Sequence, residues 1–378
     1  MNRREVKRAP TLRFKGFTND WEQRKLGEIS NIIAGGDKNI NKIKKYGKYP
    51  VIANSINKNG IVGYYDNEYR VKAPAVTVTG RGEIGHAVAR FQNFTPIVRL
   101  LALSSKLDPI FLANSINKIR FFNESTGVPQ LTKPQLSTYS IIIPSVEEQN
   151  NIGKLILLIE KYIHLQQRNL ENYLLIKKKL SNIFFNDRIV NKNDLLFEHR
   201  VKANQLFISY SKKGFSHLPV LSASQDKGMI FRKDESKNIL YTHDNLTSYK
   251  LVEPDNFVVH LRSFQAGFAY SDKTGIASPA YTIFKFKNNV AYNSVYWKEK
   301  FKSYNFIQLL KKITYGVRDG RSISFSDFLS LYLTFPDIKL QNKIGNVLSK
   351  LDTQISDQKE IIKKLENIKQ FLLQNMFI

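Results

Sequence analysis

Pro144-Ser-Val-Glu-Glu-Gln149-Asn-Asn-Ile152-Gly153, running on to Phe185, is written a second time as Pro336-Asp-Ile-Lys-Leu-Gln341-Asn-Lys-Ile344-Gly345, running on to Phe377. The offset is constant without a gap, from Pro144 to Pro336, from Gln149 to Gln341 and from Phe185 to Phe377, and equals about half of the 378 residues. The chain is a tandem duplication, and each copy begins as a helix should. The run Ile141-Ile-Ile143 reads as a strand, Pro144 ends it by withholding a donor, and Ser145 with Glu148 fits the S-x-x-E capping pattern.

Apolar residues then recur at spacings of three and four. The first copy gives Ile152, Ile156, Ile159, Ile163, Gln166, Leu170, Tyr173, Lys177, Leu180 and Phe184. The second gives Ile344, Leu348, Leu351, Ile355, Gln358, Ile362, Leu365, Lys369, Leu372 and Met376, so even the two polar interruptions coincide. A seam at this period buries itself against another helix, and polar residues within it fix register at a cost in stability. The packing positions expected from it are Ile152, Ile156, Ile159, Ile163 and Leu170 against Ile344, Leu348, Leu351, Ile355 and Ile362. A helix from Glu147 to Phe185 is a rod of roughly 58 Å, longer than a small domain needs. The expectation is two antiparallel coiled-coil helices acting as a spacer, the alternative being that each stripe packs on its own globular half.

Between the helices a frame repeats more faintly. Tyr49-Pro50-Val-Ile parallels Leu218-Pro219-Val-Leu, Val76-Thr-Val-Thr-Gly-Arg81 parallels Val258-Val-His-Leu-Arg262, and Phe94-Thr-Pro96 parallels Ala277-Ser-Pro279. Short β-rich runs broken by Gly, Asn, Asp and Pro imply twisted sheet with exposed loops. The fold class expected is therefore α+β, with two β-rich domains and two long antiparallel helices in pseudo-twofold array. The divisions expected are residues 1–143, a first helix region 144–188, a second domain 189–335 and a second helix region 336–378.

Composition indicates the partner. The chain carries 58 Lys+Arg against 32 Asp+Glu, a net charge of +26, with 42% hydrophobic residues. Such a chain folds, and its field attracts polyanions, nucleic acid first. Pseudo-twofold symmetry is also what duplex DNA offers a reader. Binding residues sit on loops held by a rigid frame, and these loops are rich in donors. The candidates are Asn54, Ser55, Asn57 and Lys58; Arg81; Ser224, Gln225 and Lys227; Arg262 and Gln265; and, ranked second, Gln130, Arg318 and Arg321. Arg and Lys read guanine, Asn and Gln read adenine, and Ser adapts to either.

Several chemistries are excluded or weakened. No cysteine occurs, which removes disulfides, thiolate zinc sites and Cys nucleophiles. The six histidines show no metal-ligand spacing, so no metal site is expected. Gly80-Arg-Gly82-Glu-Ile-Gly85 fits G-x-G-x-x-G, with Asp108 downstream where a ribose-binding acid would stand. The fingerprint requires a helix directly after the glycines, whereas His86-Ala-Val-Ala-Arg-Phe91 reads as a strand, so a hairpin loop is expected. No phosphate-binding G-x-x-x-x-G-K-[ST] loop occurs. No apolar run approaches the ~20 residues of a membrane span, and a soluble, cytoplasmic protein is expected.

The residues resemble the specificity (S) subunit of Type I restriction-modification systems. Pro10-Thr-Leu-Arg13-Phe14-Lys-Gly-Phe17-Thr-Asn-Asp20-Trp21-Glu-Gln-Arg-Lys-Leu26-Gly27-Glu-Ile29 is similar to that family's opening segment, and the blocks at Pro144–Gly153 and Pro336–Gly345 resemble its repeated helical regions. The resemblance implies two target-recognition domains, each reading one half of a bipartite site in double-stranded DNA. It also implies two modification subunits that carry S-adenosylmethionine and methylate adenine, and restriction subunits that carry ATP, magnesium, translocase and nuclease. This chain would then be non-catalytic and hold no cofactor, in keeping with its lack of an Asn-Pro-Pro-Tyr or Asn-Pro-Pro-Phe motif. Two departures stand out. Leu340 replaces Glu148 in the second block, and Phe197-Glu-His-Arg-Val-Lys-Ala-Asn-Gln205 replaces the opening from Trp21 to Ile29. The rival readings are a sequence-indifferent nucleic-acid-binding protein and an enzyme using the glycine motif.

Overall fold

The computed structural model describes residues 9–122, 128–185, 199–224, 227–234, 243–259, 268–313 and 324–378. The two repeated segments are continuous helices, Val146–Phe184 and Ile338–Asn375. Ser145 Oγ accepts from the Glu148 backbone N–H at 3.3 Å, and Asp337 Oδ1 accepts from that of Leu340 at 2.7 Å. Each helix thus has an oxygen cap satisfying one of its orphan donors. The expected return contact from the Glu148 side chain is replaced, because its carboxylate turns to Arg13, whose Nε and Nη2 donate to it at 2.8 and 2.7 Å.

The chain divides into two compact units, one holding the described residues up to Arg168 with Glu360–Ile378, the other Asn169–Lys359. Each unit takes one end of each helix. In the first, Ile152 and Ile156 pack with Trp21, Phe111, Met376 and Phe377. In the second, Ile344 and Leu348 join a core containing Phe185, with Leu180 and Phe184 against it. The start of one helix meets the end of the other in both units, so the pairing is antiparallel. Eight of the ten packing positions read from the sequence are buried, and Ile159 and Leu170 are half-buried. At the ends of the stripe these residues face the globular core as well as the opposite helix.

The sheets repeat in the same order. In the first unit a four-stranded antiparallel sheet runs Ser30–Ala34, Leu100–Ser105, Ala75–Thr79, Ala87–Arg90. In the second it runs Phe207–Tyr210, Thr282–Phe286, Phe257–Val259, Ala269–Tyr270. A short ribbon precedes each long helix: Glu22–Lys25 pairs with Ser140–Ile143, and His199–Lys202 with Tyr332–Phe335. The Leu26 N–H donates to the Tyr139 carbonyl at 2.8 Å and the Ala203 N–H to the Leu331 carbonyl at 2.8 Å. The segment at His199–Leu206 is therefore the structural counterpart of the opening at Glu22–Ile29, although the residues share no motif.

What differs is the filling. The first core is aliphatic, built on Leu26, Val76, Val78, Leu101, Leu103 and Leu112. The second is aromatic, built on Phe207, Phe257, Phe284, Trp297, Phe301 and Phe328, with edge contacts such as Phe207 to Phe284 at 5.4 Å between ring centroids. Such pairs contribute about 0.5–1.5 kcal/mol each beyond their burial. A frame needs apolar residues at alternate strand positions, and either set supplies them.

The Ile-Gly of each repeat has a packing reason. A Cβ on Gly153 would stand 2.1 Å from Asp108 Oδ1, and one on Gly345 would stand 2.8 Å from Asn293 Oδ1. Asp108 and Asn293 cap neighbouring helices, accepting from Phe111 N and Tyr296 N. The repeated Gln locks the same corner, Gln149 Nε2 donating to Pro144 O at 2.8 Å and Gln341 Nε2 to Pro336 O at 2.9 Å.

Candidate nucleic-acid interface

In the first unit, three loops picked out in the sequence meet at one end of the sheet. The Asn54 amide holds them together. Its Oδ1 accepts from Gly80 N at 2.7 Å and Arg81 N at 3.3 Å, and its Nδ2 donates to Arg81 O at 2.9 Å. Arg81 also bridges Gln130, Gly82 N donates to Pro129 O, and Leu131 N donates to Gly80 O. The backbone of Arg81 is thus fixed from two sides while its side chain is exposed. Asn54 is consumed in this task and acts as a positioning residue. Ser55 Oγ accepts from Asn57 N at 3.2 Å, and the turn carries Lys58 and Asn59 at φ 49° and 56°, which leaves Ser55, Asn57 and Lys58 exposed.

The glycine motif is a hairpin loop. Gly82 and Gly85 have φ +73° and +85°, and the strand Ala87–Arg90 follows rather than a helix. A Cβ on Gly85 would lie 2.2 Å from the Phe121 ring. Asp108 is the helix cap described above. Among the described residues nothing of a dinucleotide site is assembled around this loop.

In the second unit Ser224 and Lys227 flank the turn between Leu221–Ser224 and Gly228–Phe231, with Lys227 N 3.4 Å from Ser224 Oγ and the lysine side chain exposed. Gln225, Arg262, Gln265, Arg318 and Arg321 lie outside the described residues.

One residue on this face escaped the sequence reading. Arg90, at the end of its strand, lines a pocket with Ser55, Asn59, Thr77, Thr79 and His86. Its Nε donates to Thr77 Oγ1 at 2.9 Å. Burial pushes its guanidinium down to about 10, leaving it cationic at neutral pH. A single arginine in a short strand gives no sequence signal, because strand pairing decides what it faces.

Among the described residues no group of His, Asp and Glu is arranged to hold a metal ion, and no helix is long and apolar enough to cross a membrane.

A duplicated α+β frame presenting different polar loops in its two halves, on paired antiparallel helices, is the class of molecule defined so far. Residues 18–175 match the Type I restriction modification DNA specificity domain. Two type I specificity subunits of Mycoplasma pneumoniae are similar to this chain. One is 29% identical over 151 residues, 38% of this chain and 45% of the relative. The other is 31% identical over 135 residues, 34% of this chain and 37% of the relative. The chain thus spans less than half the length of these two relatives. The crystal structure of the Type-I restriction-modification system S subunit from M. genitalium superposes with a TM-score of 0.66 at 14% identity, covering 98% of this chain and 99% of that one. Residues 18–175 thus carry a Type I restriction modification DNA specificity domain, and the whole length of the chain shares the fold of the M. genitalium S subunit.

Proposed function

We propose that this chain is the DNA-reading subunit of a Type I restriction-modification complex, each β-rich half reading one part of a bipartite site in double-stranded DNA. The observation that carries the reading is that one sheet order is built twice, in a chain with a specificity domain, while the loops on it differ. Different loops on one frame suit two different half-sites, and a sequence-indifferent binder has no use for them. Recognition falls to residues 1–143 and 189–335, and the helix regions 144–188 and 336–378 act as a spacer between them.

The base-reading residues are Arg81, Asn57, Lys58, Ser55 and Gln130 in the first half, and Ser224, Gln225, Lys227, Arg262, Gln265, Arg318 and Arg321 in the second. The chain itself is non-catalytic and cytoplasmic. Two modification subunits would bring S-adenosylmethionine, and restriction subunits would bring ATP and magnesium. The test is methylome sequencing of cells expressing this chain with its modification subunit, with gel shifts of the complex on the resulting motif. A two-part motif with a fixed gap is the expected outcome. Methylation without a motif, or DNA binding indifferent to competitor sequence, would refute the reading.

A further inference from the structure

Among the described residues, Arg90 is a half-buried cation with no carboxylate partner. Burial alone shifts its guanidinium, and no carboxylate acts on it. Buried charges in folded chains are ordinarily paired, and a half-buried arginine with no carboxylate partner among the described residues suits an anion brought by a ligand. The pocket around it carries no acidic residue: its polar lining is Ser55, Asn59, Thr77, Thr79, His86 and Arg90.

The placement of the guanidinium is built in. Thr77 is buried, its hydroxyl donates to Val88 O at 3.3 Å and accepts from Arg90 Nε at 2.9 Å. That leaves the two Nη nitrogens without a described partner. They form the forked end that matches a pair of phosphate oxygens. Thr79 orders the rim, accepting from His86 N at 2.9 Å and donating to Glu83 O. On the opposite rim the left-handed turn at Lys58, Asn59 and Gly60 presents Lys58 to solvent.

Depth separates this arginine from Arg81. A base edge lies at the floor of a groove about 8.5 Å deep, which a projecting side chain such as Arg81 can reach and a recessed one cannot. The phosphodiester oxygens stand out from the duplex and can enter a pocket. We infer that Arg90, held by Thr77 and flanked by Ser55, Asn59 and His86, is a backbone-phosphate seat that sets the register of the first half on DNA while Arg81 reads a base. This rests on the proposed function, which it deepens by naming a second class of DNA contact.

The experiment uses the assembled complex of this chain with its modification subunits, on a duplex carrying the methylome-defined motif, titrated between 50 and 200 mM salt. Arg90→Gln is expected to flatten the dependence of log affinity on log salt by about 0.9, so that affinity falls about threefold less across that range. The loss should be equal on target and non-target duplexes, the methylated motif should be unchanged, and Arg90→Lys should keep the wild-type slope. Because the substitution removes an unpaired half-buried charge, the variant should melt no lower than wild type. An unchanged slope, or a motif relaxed at one base pair, would overturn the inference.

A methylphosphonate scan of the duplex with the wild-type complex reads the same contact without a variant. One backbone position in the half-site read by the first unit should weaken binding when neutralised, and that position should become silent with Arg90→Gln. A scan with no responsive position there overturns the seat even if Arg90→Gln does not fold. Absence of any sequence preference in the wild-type complex would instead sink the specificity reading, and the salt slopes would still decide the phosphate contact.

Discussion

Lys177 Nζ lies 2.6 Å from Asp352 Oδ1, and the repeat-equivalent bond is made with the helices exchanged, Lys369 Nζ lying 2.7 Å from Glu160 Oε1. Lys177 and Lys369 occupy the same place in the repeat, as do Glu160 and Asp352. The polar interruption in the seam is therefore a reciprocal ion pair, which allows the antiparallel register in which a lysine of one helix meets a carboxylate of the other. Lys177 has a second partner in Glu299, at 3.1 Å and almost wholly buried.

Lys177→Met is expected to destabilise the chain by about 1 to 3 kcal/mol, because it takes the closer of two ammonium groups from the buried Glu299 carboxylate, Lys298 Nζ remaining 3.8 Å away, while a fifth of Lys177 itself is exposed. Burial lowers the Lys177 ammonium, but Glu299 and Asp352 more than offset this and hold it above the ordinary lysine value. A raised folded-state value gives stability that is complete below the unfolded value of about 10.4 and drains away as pH rises through the folded one. Urea unfolding at pH 8 and pH 11 should show the gap between wild type and variant narrowing at the higher pH. A gap that widens would contradict the assignment.

Arg13→Met is expected to cost about 3 to 5 kcal/mol, since Glu148 is 1% exposed and would be left charged without its fork. The second repeat shows the remedy, having Leu340 at the equivalent place. Arg13→Met combined with Glu148→Leu should recover most of that loss in thermal or urea melts. If the double variant is as unstable as the single one, the pair is not an isolated buried couple.

Arg81→Ala should relax reading at one base pair of one half-site, with about 1–3 kcal/mol of discrimination lost, and Arg262→Ala should do the same in the other half-site. Methylome sequencing of each variant distinguishes this from a uniform loss of methylation with an unchanged motif, which would make the arginine a backbone contact. Asn54→Ala should resemble Arg81→Ala, because the Asn54 amide holds the Arg81 backbone.

Four residues inserted after Gln166 and again after Gln358 should lengthen the proposed spacer by ~6 Å, one or two base-pair steps of ~3.4 Å. Insertion in both helices preserves the reciprocal ion pairs, which insertion in one would put out of register. The expected motif has its half-sites unchanged and its gap longer by about one or two base pairs. Efficient methylation with the original gap would show that the helices are not the ruler.

The long helices were legible in the sequence because periodicity is local: a stripe every three to four residues, repeated without a gap, announces a buried seam wherever it lies. The hairpin nature of Gly80–Gly85 was equally legible, since a strand rather than a helix pattern follows it. Other features depended on what the chain brings together in space. The role of Gly153 rests on Asp108, the role of Glu148 on Arg13, and the counterpart of the opening segment at His199–Leu206 on pairing with Tyr332–Phe335. The aliphatic and aromatic cores hide the repeated sheet because burial constrains polarity and volume and leaves residue identity free. By itself the sequence determined the duplication, the helices, the basic charge and the loops rich in donors. Only the tertiary structure decided that Asn54 is spent on holding Arg81, and that Arg90 is a half-buried cation without a carboxylate partner among the described residues, because hydrogen-bond partners and desolvation are properties of residues distant in the chain and adjacent in the fold.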